Sequence, residues 1–195
     1  MTTPTAAATT TAAIATAAAS TTLQLPEIDF HGYRFGNAEQ RAAVCSQIAE
    51  ACSTYGFFYL THHGVSSEAI ASAFEAAQSF FAQPVEKRLA CRSRYNNQNR
   101  GYQPLLDTQH PGKPPDVKES FDMGFPLAED DADMLAGLPF HAPNSWPDEN
   151  DSSNALRGFR GATENLYFSM LETGRDVLRA MAEALQADRN FFVKD

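Results

Sequence analysis

The sequence has 195 residues, 43% of them hydrophobic and 11% aromatic, enough to bury one sizeable core, which excludes a peptide or a linker. Its formal net charge of −9 and pI near 5.0 repel phosphate backbones and anionic headgroups, so nucleic acid and membrane surfaces are not expected as partners, and a small molecule or a protein is. Three cysteines, Cys45, Cys52 and Cys91, form neither an even set nor a C-x-x-C pair, which excludes a disulfide framework or zinc knuckle and fits reduced thiols in a cytoplasmic protein.

Residues 1 to 22 are almost wholly alanine and threonine, too poor in large apolar side chains to repay ordering, and read as a disordered tail. The tail has neither the basic start and apolar middle of a secretory signal nor the arginines of a mitochondrial presequence. No run reaches the roughly 20 apolar residues of a membrane span.

Leu25 to Asp29 alternates apolar and polar residues and reads as a short strand. Asn37 stands in capping-box register with Gln40, and Val44, Ile48, Cys52 and Tyr55 recur at helical spacing, which predicts a helix over 38–54. Cys45 and Cys52 lie seven apart on it and are expected on one face as small apolar core residues. Gly56 ends the helix. Phe57 to Leu60 is an unbroken apolar run too short for a helix, as expected of a strand covered on both faces.

Ser66 opens a second predicted helix whose Ile70, Phe74, Ala77 and Phe81 are expected in the core, and Pro84 occupies the first turn of a third. The segment 92–146 is rich in Asn, Gly, Pro and Asp and carries two predicted strands, Gly101 to Leu105 and Lys118 to Met123. Ten of the 24 carboxylates fall between Asp116 and Asp151. Within that stretch Glu129 to Asp133 lacks the alternating ligands, central glycine and closing glutamate of a calcium loop, and reads as a solvated loop or helix start. From Ser153, Leu156, Phe159, Leu166, Met170, Val177, Met181 and Leu185 keep helical spacing to Ala187, which predicts a helix about 50 Å long.

Adjacent histidines, His62 and His63, raise the question of a metal. On a strand their side chains diverge, so one ion is not readily shared. None of the five histidines, which include His31, His110 and His141, is followed two residues later by Asp or Glu, and there is no H-E-x-x-H, G-x-S-x-G or phosphate-cradling glycine loop. His110 and His141 lie in the acidic, loop-rich segment, where folding can bring either near Asp116 or Asp122. The residues alone assemble no complete catalytic or metal site.

Taken in order, "LPEIDF", "GFFYLTHHGV", "FFAQPVEKR", "RGYQPL", "DVKESFDMG" and "PNSWPDE" resemble the N-terminal region of the isopenicillin N synthase-like, 2-oxoglutarate- and iron(II)-dependent dioxygenases. The resemblance covers residues 25 to about 192. It implies an α+β fold, the helix-rich N-terminal part of a double-stranded β-helix (jelly-roll) oxygenase, incomplete in this chain. It further implies a small organic substrate, with iron(II) held by two histidines and a carboxylate and 2-oxoglutarate gripped by an Arg-x-Ser in the whole enzyme.

Neither the His-x-Asp nor the Arg-x-Ser of that family is present. Residues 23–195 are therefore expected to form the N-terminal domain without the jelly-roll half, with no catalytic or metal residue and no cofactor bound by this chain alone. His62 and His63 fall in the family's strand-to-turn block. Arg100 and Tyr102 match a segment that approaches substrate in some relatives and are the substrate-binding candidates, against an alternative of a surface arginine and a packed tyrosine. Glu119 and Asp122 are expected to tie their strand to neighbouring loops. The function expected is the N-terminal portion of an oxidoreductase, inactive alone; the alternative is a catalytically silent interaction or small-molecule-binding module.

Overall fold

In the computed structural model the described residues are 24–92, 99–128, 130–150, 153 and 155–193. The expectation of a disordered tail over 1 to 22 lies outside them.

Strand β1, Glu27–Asp29, runs into helix α1, His31–Phe35, which the sequence pattern does not announce. Five residues are too few for helical periodicity to show. What holds α1 is local and tertiary: Asp29 Oδ1 accepts the His31 N–H at 2.9 Å, and Tyr33 is buried in the main core. Helix α2, Ala38–Thr54, has the predicted boundaries, and its capping box is formed in both directions between Asn37 and Gln40. Gly56 ends it with φ +75, a conformation that favours glycine.

Strand β2, Tyr59–Thr61, pairs in parallel with β1, Glu27 opposite Tyr59 and Asp29 opposite Thr61. Phe58 and Leu60 pack on the core, but Phe57 is 70% and Tyr59 63% exposed. The apolar run is thus covered on one face only by the described residues, not on both as its unbroken hydrophobicity suggests.

Helix α3, Ser67–Phe81, is capped by Ser66, whose Oγ accepts from Ala69 N. Its buried face is Ala69, Ala73 and Phe80 rather than the expected stripe, and Phe74 is 71% exposed. The phase is set by the neighbouring helix: alanines let the two backbones approach, and the larger side chains lie along the rim. Helix α4, Val85–Ala90, follows Pro84. Strands β3, Gly101–Gln103, and β4, Ser120–Asp122, form an antiparallel pair within the predicted segments. The short helix α5, Ala132–Leu135, starts at Asp131, whose carboxylate accepts from Met134 N. The acidic run therefore contains a helix start.

Helix α6, Phe159–Ala184, is shorter than expected, 26 residues or about 39 Å. Gly158 at φ +83 and Gln186 at φ +56 close its two ends in the left-handed region, which continuous apolar spacing cannot reveal. Both α2 and α3 pack against it. One core holds Ile28, Phe30, Tyr33, Val44, Ile48 and Ala180; a second holds Phe80, Cys91, Tyr102, Leu156 and Phe159. Cys45 is buried as expected, but Cys52, two residues from the end of α2, is exposed. No described helix is long and apolar enough to cross a membrane.

Candidate functional site

Tyr102 on β3 is 1% exposed, packed against Phe80. Its hydroxyl donates to Glu119 Oε2 at 2.6 Å, the same oxygen is bonded by Arg88 Nη1, and the Arg88 guanidinium lies over the Tyr102 ring. Burial, and then the hydrogen bond to Glu119, raise the Tyr102 pKa above its usual value. Glu119 thus ties β4 to β3 and α4, the structural role expected of it, while Asp122 accepts from Ser120 Oγ at 3.4 Å.

Arg100 is spent differently. It donates to the carbonyls of Asn99 at 3.0 Å and Phe140 at 2.8 Å, and its guanidinium lies flush on Gly124, where a Cβ would overlap it. Gly124 and Asn144 exchange two hydrogen bonds, 2.8 and 2.9 Å, which hold the 140–146 loop to the end of β4. The two substrate-binding candidates therefore part company: Tyr102 faces the core and Arg100 braces a loop junction. Two residues apart on a continuous strand they would share a face, but Arg100 precedes β3, and Gly101 at φ +89 breaks the alternation between them.

A mostly apolar stripe runs along α6 and shares Met170, Met181 and Leu185 with the predicted spacing. Thr163, Tyr167, Met170, Gly174, Leu178, Met181 and Leu185 follow at steps of four, three, four, four, three and four, one face of a helix. Two open clefts lie along it. One, about 420 Å³, is walled by Phe74, Ala77 and Phe81 of α3 and by Phe121 and Met123. The other, about 740 Å³, is walled by Ile48, Ala49 and Cys52 of α2 and by Phe192. At Gly174, between them, an added Cβ meets nothing within 4 Å. The residues of the α3 stripe expected in the core, Phe74, Ala77 and Phe81, are the wall of the first cleft.

The adjacent histidines His62 and His63 do not share a site, although the His62 ring stands edge-on to His31 at 6.4 Å. His62, at φ +48, places Nδ1 2.9 Å from Asp29 Oδ1, whereas His63 Nδ1 accepts from Val65 N at 3.1 Å and the His63 carbonyl accepts from Thr173 Oγ1 on α6. The Asp29 pKa is lowered, first by the His31 backbone N–H and less by His62. His110 lies 3.5 Å from Asp116, and His141 lies 3.7 Å from Asp133 with its Nδ1–H on the Pro139 carbonyl. Each pair is one imidazole with one carboxylate. Among the described residues, no three His, Cys, Asp or Glu side chains are arranged to hold a metal ion.

Residues 25–149 match a family profile described as the N-terminal domain of the non-haem dioxygenase in morphine synthesis. The chain belongs to this non-haem dioxygenase N-terminal family. It is 30% identical over 169 residues to the 2-oxoglutarate-Fe(II) type oxidoreductase hxnY of Emericella nidulans, covering 86% of this chain and 47% of that protein. It is 31% identical over 163 residues to the 2-oxoglutarate-dependent dioxygenase caaD of Aspergillus niger, covering 83% and 48%. Its fold matches the crystal structure of a 2OG-Fe(II) oxygenase family protein from Caulobacter crescentus at a TM-score of 0.70 and 27% identity, over 86% of this chain and 50% of that one. This non-haem dioxygenase N-terminal chain thus spans about half the length of the relatives it matches. In this family context the described residues do not fit an iron(II) site, because the donor set of two imidazoles and a carboxylate is nowhere assembled among them.

Proposed function

We propose that this chain is the N-terminal half of a 2-oxoglutarate- and iron(II)-dependent oxidoreductase that oxidises a small organic substrate, with the metal and 2-oxoglutarate held by jelly-roll sequence outside these residues. The observation that carries the reading is the open α6 stripe. Along the roughly 33 Å of α6 from Thr163 to Leu185, Met170, Leu178 and Leu185 are exposed among the described residues, as are Phe74 and Phe192 beside them. Burying it releases roughly 25 cal/mol for each Å² of apolar area, so a β-rich half laid along α6 has a strong driving force to dock. The relatives, twice as long, have the sequence with which to do so.

The half described here would supply the support for that sheet and part of the wall of the substrate chamber, through the loop braced by Arg100 and Asn144. The acidic charge of the chain supports a small-molecule substrate rather than nucleic acid or a membrane surface.

The test has two arms. Iron(II) and 2-oxoglutarate added to the purified 195-residue chain are expected to give no specific binding by calorimetry and no 2-oxoglutarate-dependent oxygen uptake. Nucleotide sequence following the codon for Asp195 is expected to encode, in one frame, a β-rich segment with His-x-Asp, and the joined polypeptide to couple 2-oxoglutarate decarboxylation to oxygen use. Micromolar iron binding by the short chain that is lost in His110→Ala or His141→Ala would overturn the reading. So would a stably monomeric short chain with no His-x-Asp in any downstream frame, which would favour an interaction module.

A further inference from the structure

A third cavity, of about 440 Å³, lies away from the open stripe, between the first turns of α2 and the last turn of α6, lined by Ala38, Arg41, Ala42, Cys45, Glu183 and Gln186. Its lining carries one guanidinium, Arg41, and one carboxylate, Glu183. Carboxylates outnumber Lys and Arg by 24 to 15 in the sequence, and seven described arginines (34, 88, 92, 160, 175, 179 and 189) have a carboxylate partner. Arg41, half-buried, has none among the described residues, and its buried Nε donates to nothing. Its guanidinium rests 5.5 Å from the centroid of the Tyr33 ring, while Arg189 lies 5.7 Å from the same ring.

Glu183, the acid of the cavity, is already committed. It accepts from Tyr33 Oη at 3.0 Å and Cys45 Sγ at 3.8 Å, and pairs with Arg189 at 3.3 Å. With Arg189, which lies outside the lining, two guanidinium groups share this one carboxylate, and the buried Arg41 Nε loses the hydrogen bond it would make to water. Meanwhile Ala38, Ala42 and Ala184 leave room beside it with apolar walls.

We propose that this cavity binds the carboxylate of a small organic acid, with Arg41 gripping the anion and the three alanines taking its apolar body. A carboxylate suits the guanidinium fork, since two N–H groups can donate in parallel. Gln186 and Ser46 supply further hydrogen-bond donors at the rim. The inference does not depend on the oxygenase reading, because every residue it uses lies in or beside α1, α2 and the C-terminal end of α6.

The test is a titration of the 195-residue chain with benzoate, read on the Arg41 Nε–H resonance. A saturable shift with a Kd of roughly 1–10 mM is expected, the strength of one charge-assisted contact at a partly exposed site. Benzyl alcohol, of the same shape without the charge, should leave the resonance in place. The surface variant Arg175→Gln should bind as the parent does, and Arg41→Gln should lose binding, read on ligand resonances. Should Arg41→Gln fail to fold, Ala42→Leu fills the cavity from an exposed position while keeping the guanidinium, and should abolish the shift. A shift that stays linear to about 100 mM, an equal shift with benzyl alcohol, or undiminished binding by Ala42→Leu would each overturn the proposal.

Discussion

Tyr33, on the five-residue helix α1, donates its hydroxyl hydrogen to Glu183 in the last turn of α6 at 3.0 Å, joining positions 150 apart. The next residue, Arg34, bonds Asp176 of α6 through Nε and Nη2, both at 2.9 Å. Helix α1 is therefore a strap from the first strand to the long helix, and α6 is held from both ends: by α1 and α2 near its C-terminus and by α3 along its N-terminal half.

This strap predicts a sensitivity to alkali. Burial, and then Glu183, push the Tyr33 pKa up from 10.0 to about 12, and the same two causes push Cys45 from 9.0 to about 11. A raised folded pKa means that the folded state holds its proton more tightly than the unfolded chain does, so the stabilisation is complete below the unfolded value and lost above it. The denaturation midpoint is expected to fall from pH 9 onward through Cys45 and more steeply from pH 10 to 12 through Tyr33. Tyr33→Phe should be destabilised by about 1 kcal/mol at neutral pH and lose the steeper part; an unchanged slope above pH 10 would contradict the assignment.

Glu119 should behave as a shared acceptor. Glu119→Gln removes the charge that neutralises Arg88, whose side chain is 15% exposed, and is expected to cost about 1 to 3 kcal/mol. Tyr102→Phe should cost about 1 kcal/mol. Because both hydrogen bonds end on one oxygen, the double variant is expected to lose less than the two single losses combined. Urea midpoints of the three variants check this, and strict additivity would show that the groups act separately.

Gly101 is a position where glycine is required. Its φ is +89, and a Cβ there would overlap the carbonyl oxygen of Cys91, a backbone atom that cannot swing aside. Gly101→Ala is expected to cost more than about 2 kcal/mol, left-handed strain alone accounting for roughly 1 to 2. Gly174→Ala, with open space at its Cβ, should instead stabilise α6 by up to about 1 kcal/mol. A reversed order in thermal melts would mean that the turn before β3 relaxes freely.

The exposed stripe should make the chain sticky. Met170 is 54% and Leu178 38% exposed, one on each side of Gly174. The 195-residue chain is expected to bind a hydrophobic dye and to self-associate as concentration rises. Met170→Glu with Leu178→Glu should reduce both without unfolding α6, since neither side chain is in the core. Unaltered association by sedimentation would place the sticky surface elsewhere.

Local features were legible from neighbouring residues. Capping chemistry placed the ends of α2 and the start of α3, glycine marked the turn at 56, and the strands around Tyr102 and Phe121 could be read from alternation between turn residues. The ordered family blocks carried the oxygenase resemblance, and the absence of His-x-Asp and Arg-x-Ser was legible directly. Tertiary structure decided everything that depends on which face meets which neighbour. The α3 stripe was misphased because Ala69 and Ala73, not Ile70 and Phe74, pack where the backbones are closest. Helix α1 was invisible because its stabilisation comes from Glu183 and Asp176, 150 and 142 residues away. The same distance hid the Arg41 cavity. Hydrophobic periodicity reports how much apolar surface a segment carries; only the packed chain decides whether that surface is buried, as on α2, or left open along α6.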